Sequence, residues 1–222
     1  MAINVFMVRH GQTYLNKYQR MQGWTNAPLT EKGLADANAA GHRLAQVPFA
    51  GAYSSDMARA EQTAQFILTA NQAPAVTTVT AKPNFREQFF GSFDGLLVQD
   101  AELALAAHLQ RPVTPYMTLL TELGGDAMMD LVHTADPTGD AENAETFWAR
   151  IEQGLADILA HHQDGDNVLL VVHGVLLVNL IARFGNNAYP GIEPDNGSVT
   201  KWQLTDNGMT LTNFNDSTTI WS

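Results

Sequence analysis

Ile3-Asn4-Val5-Phe6-Met7-Val8-Arg9-His10-Gly11 is the stretch on which the fold turns. Up to Val8 it is short, apolar and β-branched, so it reads as a buried strand. It then stops abruptly on Arg-His-Gly. A second stretch is built the same way: Val168-Leu169-Leu170-Val171-Val172 followed by His173-Gly174. An unbroken apolar run of that length suits a strand covered on both faces. In open α/β sheets, ligands gather beyond the carboxyl ends of the strands. The two stretches therefore place His10 and His173 on one edge of one sheet.

Strands alternating with helices fill in the rest. Thr30 reads as the N-cap of a helix that carries Leu34, Ala37, Gly41, Leu44 and Ala45 and ends before Pro48. Ala52–Ser54 reads as a short strand, Met57–Leu68 as an amphipathic helix, and Val76–Thr80 as a strand by its β-branched content. Phe85–Gly95 reads as an aromatic loop. Phe147, Ile151, Leu155, Ile158 and Leu159 mark a helix face, and Val175–Phe184 a further helix. Thr200–Leu204 and Met209–Phe214, joined by Asp206-Asn207-Gly208, read as a closing hairpin. The expected architecture is a three-layer α/β/α sandwich with a mostly parallel sheet. One domain covers 1–222, with a core over about 1–95 and 143–222. Residues 96–142 read as a cap insertion, helical near Val98–His108 and loop-like after it because of Pro112, Pro115, Gly124-Gly125 and Pro137.

Four pieces carry chemistry. Arg9-His10-Gly11 joins a neutral nucleophile near pH 7, a bidentate anion clamp and a residue that lets the backbone approach an oxyanion. Ser54–Ala64 runs from a strand end into a helix whose first turn holds Arg59, where an anion is favoured. Phe85–Gly95 sets acids among aromatics, which raises a carboxyl pKa and suits a general acid. Glu87 is the first choice there and Asp94 the second. His173-Gly174 completes the set. Read singly, each piece has a plainer meaning: a loop histidine, a solvated arginine, a hydrated carboxylate, a satisfied core histidine.

Read together and in order, they resemble the histidine phosphatase superfamily, also called the phosphoglycerate mutase-like family. Its opening signature Arg-His-Gly-x-Thr-x-x-Asn is similar to Arg9, His10, Gly11, Thr13 and Asn16. Further resemblance runs through Arg20–Trp24, Pro28–Gly33, Ser55–Ala64, Glu87 with Gly91 and Gly95, and Val172–Gly174. It spans residue 3 to about 180, with the cap as the divergent part. The resemblance implies that His10 accepts the phosphoryl group and that Arg9, Arg59 and His173 form the phosphate pocket, lined by Asn16. It implies that Glu87 protonates the leaving alkoxide and then activates water. Arg20, Gln22, Gly23 and Gly174 join the expected binding residues. Transfer of this kind needs positioning and charge stabilisation, so neither metal nor cofactor is expected.

Three functions compete: a phosphatase, a phosphoglycerate mutase, and a binding protein on the same fold. As the resemblance implies, the mutase branch carries a clustered basic set in the cap. Here the one basic side chain between Gln88 and Ala149 other than histidine is Arg111. That favours a phosphatase acting on a small phosphorylated substrate, with inorganic phosphate as product. Lys17 and Arg20 remain for one further anionic group.

Composition sets the outer bounds. A net charge of −11 repels nucleic acid and anionic membrane, so neither is an expected partner. The absence of cysteine removes disulfides, thiolate catalysis and Cys-type zinc sites. Ile3–Val8 is too short for a signal or membrane segment, and a cytoplasmic protein is expected. A homodimer is left open. His161-His162 reads as a solvated helix end, and Met117, Met128 and Met129 as packing.

Overall fold

Along Ala2–Arg9 (β1) the side chains alternate between two apolar layers. Ile3, Val5 and Met7 enter one, and Phe6 and Val8 the other. This is the two-residue period of a strand buried on both faces. The computed structural model describes residues 1–73, 76–185 and 191–222.

The chain continues through a short helix, Tyr14–Lys17 (α1), to Glu31–Arg43 (α2), Phe49–Ser54 (β2), Ala58–Ala70 (α3) and Thr80–Ala81 (β3). Three helices follow: Val98–Leu109 (α4), Tyr116–Leu123 (α5) and Gly125–Ala135 (α6). Then come Ala144–Ala160 (α7), Asn167–Val172 (β4), Gly174–Phe184 (α8), Val199–Thr205 (β5) and Gly208–Asp216 (β6). The sheet has six strands in the order β3-β2-β4-β1-β5-β6. β1, β2, β3 and β4 pair in parallel, and the β5–β6 hairpin adds antiparallel to β1. α7 and α8 cover one face through Phe147, Ile151, Leu176 and Leu180, while α2 and α3 cover the other through Ala40, Ala60, Ala64 and Ile67. The result is the expected α/β sandwich.

Two local readings need correction. Val76–Thr80 forms no strand of that length: only Thr80 and Ala81 pair, with Tyr53 and Ser54 at the outer edge of the sheet. Val76 and Val79 pack against the core under α2 and α3 as half-buried side chains, but the segment lies at the sheet edge and only its last residue enters the ladder. The cap is helical beyond α4. Pro115 stands at the N-cap of α5, and Gly124 separates α5 from α6. Proline and glycine bound these helices without interrupting them. α4, α5 and α6 share an apolar cluster with Met21, Phe90 and Val178 and so form one wall above the sheet edge.

Candidate active site

β1 and β4 are paired in parallel up to Arg9 opposite Val172. The next residue on each strand is a histidine. Register alone thus sets the rings of His10 and His173 side by side, with centroids 5.2 Å apart. Both are buried, at 3% and 0% exposure. His10 Nδ1 lies 2.8 Å from the Gly11 carbonyl oxygen. A carbonyl only accepts, so Nδ1 carries the proton and Nε2 keeps its lone pair. The Arg59 Nε–H donates to that Nε2 at 3.2 Å. Burial, followed by the charges of Arg59 and Arg9, holds His10 well below the usual imidazole range. The ring is therefore neutral near pH 7, which is the form that can attack phosphorus.

His173 is fixed from the other side. Its Nε2 lies 2.7 Å from the Ser55 hydroxyl, at the end of β2. Its Nδ1 is buried and has no hydrogen-bond partner among the described residues. Burial and the nearby Arg59 charge lower its pKa as well. A buried ring nitrogen without a partner is costly, and a phosphoryl oxygen is one group that would satisfy it.

The loop after β1 is seated by close backbone packing. A side chain at Gly11 would overlap the Gly33 carbonyl, and one at Gly33 would overlap the Gln12 carbonyl. The loop can therefore lie directly on the start of α2, where the Thr30 hydroxyl accepts from the Gly33 N–H at 3.0 Å. The Gly11 N–H donates to Thr63 at 3.1 Å, and Asn196 Nδ2 donates to the His10 carbonyl at 2.8 Å.

Arg59 sits in the first turn of α3 and is 1% exposed. Besides His10, its guanidinium donates to the carbonyls of Thr25 at 3.1 Å and Gly23 at 2.7 Å. Burial lowers its pKa to about 10, still far above neutrality. Arg9 pairs with Glu193 at 2.8 Å and donates to the Pro194 carbonyl.

Glu87 meets the N-terminus of α8. Its carboxyl oxygens accept from the N–H groups of Val175 at 2.8 Å, Leu176 at 2.7 Å and Gln88 at 3.0 Å. Those bonds favour the ionised form, but burial outweighs them and pushes the Glu87 pKa up to about 7. The Glu87 carbonyl is pinned by Trp24 Nε1 and Arg150 Nη2, each at 2.9 Å.

These groups border a cleft of about 410 Å³ under the cap wall. Arg9, His10, Asn16, Arg20, Gln22, Glu87 and Gly174 line it. His173 and Arg59 lie beneath, in contact with His10. Gly23 is turned away: its N–H donates to Asp94 at 3.0 Å, and its carbonyl serves Arg59. Gly23 positions that arginine and offers no group to the cleft. Asp94, the second choice of acid, accepts from the N–H groups of Gly23, Trp24 and Thr25 and so ties down that loop. Met117 lines the cleft, whereas Met128 and Met129 are fully buried packing. His162 is not solvated. Its side chain is 6% exposed and its Nε2 lies 2.9 Å from the Tyr53 hydroxyl. Among the described residues no group of three or more His, Cys, Asp or Glu side chains is arranged to hold a metal ion, and no helix is long and apolar enough to cross a membrane.

Sequence reasoning gave no role to Ser55, Arg150, Glu193 and Asn196. Ser55 directly follows β2, where its hydroxyl meets His173 at the sheet edge. The other three come from distant segments, and no local pattern joins them to β1.

Comparison with known proteins bears on the same residues. The profile of the histidine phosphatase superfamily (branch 1) matches residues 5–118 and 121–217. A relative from Gloeobacter violaceus, named 2,3-bisphosphoglycerate-dependent phosphoglycerate mutase 2, is 43% identical over 168 residues, 76% of this chain and 69% of that protein. The crystal structure of a phosphoglycerate mutase from Bacillus anthracis superposes with a TM-score of 0.88 at 32% identity, covering 97% of this chain and 94% of that one. The α-ribazole phosphatase from Shigella flexneri superposes with a TM-score of 0.69 at 25% identity, covering 97% and 98%.

Proposed function

The chain belongs to the histidine phosphatase superfamily, branch 1, and from that premise we propose that it is a phosphomonoesterase working through a phosphohistidine on His10. One observation carries the reading. A neutral imidazole lining the cleft presents Nε2 beside a buried guanidinium and a second buried imidazole. In the first half-reaction His10 Nε2 attacks phosphorus and the ester oxygen leaves, taking its proton from Glu87. Arg9, Arg59 and His173 stabilise the charge on the equatorial oxygens. In the second, Glu87 removes a proton from water, which attacks phosphorus and releases inorganic phosphate. No step calls for a metal, so EDTA treatment should leave turnover intact.

A mutase is the second reading, favoured by the names of the more similar relatives. Against it stands the cap wall of the cleft, made by Val98, Tyr116 and Met117. Arg111 is paired with Glu122 and does not line the cleft. Among the described residues, a carboxylate and a second phosphate would find only Arg20 at the mouth, where its Nη1 donates to the Gly95 carbonyl. The direct test compares phosphate release with isomerisation of 3-phosphoglycerate, with and without 2,3-bisphosphoglycerate. The proposal expects release to dominate. Isomerisation faster than release would make the chain a mutase.

The acid role of Glu87 predicts a leaving-group signature. Glu87→Gln should slow an alkyl phosphate about a hundredfold or more and p-nitrophenyl phosphate much less, because a phenolate leaves without a proton. With Glu87 titrating at about 7, the acid is present below that pH and lost above it. In the parent enzyme kcat/KM for an alkyl ester should therefore fall as pH rises through 7. The variant should lose that falling limb. Equal losses on both esters, or a limb that persists in the variant, would remove Glu87 from this role.

A further inference from the structure

Phosphoryl transfer as drawn above gives no task to Glu193, yet that residue lines the cleft beside the phosphoryl site. It comes from the segment between α8 and β5. Its Oε1 lies 2.8 Å from Arg9 Nη2. The carboxylate also lies against Gly174 so closely that a side chain at 174 would overlap it and crowd the Arg9 guanidinium. Pro194, the next residue, is buried and its carbonyl accepts from Arg9 Nη1. The carboxylate is thus anchored through both its ion pair and its backbone. Among the described residues its second oxygen has no partner.

An anion here changes the charge balance of the bound state. A phosphomonoester dianion brings two negative charges, which Arg9 and Arg59 offset. Glu87 enters the first half-reaction protonated and adds none. Glu193 leaves one negative charge in excess within the cleft. Arg20 is exposed at the mouth with its Nη1 on the Gly95 carbonyl. The Glu193 side chain is itself 38% exposed, so solvent and salt weaken both charges, but the Glu193 carboxylate is held in the cleft by Arg9. Among the described residues the remaining wall, including Met21, Phe90, Val98, Tyr116 and Met117, supplies no cation. A substrate with a carboxylate or second phosphate deepens the excess. A substrate with an ammonium group cancels it and gives the second Glu193 oxygen a donor.

We propose that Glu193 selects the alcohol portion of the substrate, favouring phosphomonoesters that carry a protonated amine over those that carry another anionic group. This rests on the phosphomonoesterase reading of the same cleft. Three esters of matched length test it: 2-aminoethyl phosphate, 2-hydroxyethyl phosphate and phosphoglycolate. Calorimetric affinities are measured on His10→Ala protein, so selectivity is read whether or not the enzyme turns over. The expected order is amine, then hydroxyl, then carboxylate, with about tenfold or more between the first and last. Adding Glu193→Gln should collapse that ratio to within about threefold, and Glu193→Asp should keep it. Any general weakening through Arg9 cancels in the ratio. Phosphoglycolate binding as tightly as the amine, or a preference that survives Glu193→Gln, would overturn the proposal. Turnover of p-nitrophenyl phosphate by the parent enzyme, measured alongside, decides the phosphatase reading separately.

Discussion

Replacing His10 by alanine should lower turnover at least about 10⁴-fold, the scale on which losing a nucleophile acts in other covalent enzymes. The size follows from how little else in the cleft can attack. His173 sits beneath His10 and is not among the residues lining the cleft, and Glu87 is held by three backbone N–H groups. Only His10 combines a lone pair, a fixed tautomer and a place in the cleft wall. Phosphate release from p-nitrophenyl phosphate measures the loss. His10→Gln should lose as much, since an amide fills similar space without nucleophilic nitrogen. Residual activity within tenfold of the parent in either variant would move the nucleophile elsewhere.

Arg59→Ala should cost about 3–4 kcal/mol of transition-state stabilisation, a hundredfold or more in kcat/KM. Arg59 also donates to the Gly23 and Thr25 carbonyls; its removal takes the donor from the buried Gly23 carbonyl and should lower the unfolding temperature. A stability loss alone does not identify a catalytic electrostatic role. The pH profile does. Arg59 is the largest charge holding the His10 pKa down, after burial itself. Removing it must raise that pKa, so protonation of His10 should begin to inhibit at a higher pH. The acid limb of kcat/KM should therefore move upward, toward the ordinary imidazole range. A hundredfold loss with an unmoved acid limb would make Arg59 a structural residue. Arg59→Lys should recover little, because an ammonium cannot reach His10, Gly23 and Thr25 at once.

Much of the site was legible because it follows from strand ends. Val8 and Val172 terminate apolar runs, and parallel pairing makes the residues that follow them neighbours. Arg59 was legible because a helix start after a strand points its first turn at the same edge. Glu87 required an acid among aromatics, and the structure buries it there. The helices of the cap are hidden in the sequence because Pro115 and Gly124, residues common in loops, here stand at helix boundaries. Gly23 was expected from the resemblance as a binding residue, and its N–H is donated to Asp94 while its carbonyl accepts from Arg59. Glu193 and Asn196 could not be read at all. They act on Arg9 and on the His10 carbonyl across nearly the whole chain, from a segment without periodicity.

The most direct test of the covalent route is to trap the enzyme during turnover. A phosphate ester labelled with ³²P is mixed with the protein, quenched at millisecond intervals under alkaline denaturing conditions, and the labelled peptide is mapped. The account predicts acid-labile label on His10, attached at Nε2 because Nδ1 is engaged by the Gly11 carbonyl, appearing and decaying as fast as the enzyme turns over. Phosphate release with no such label, or label on another residue that forms at a competent rate, would contradict it.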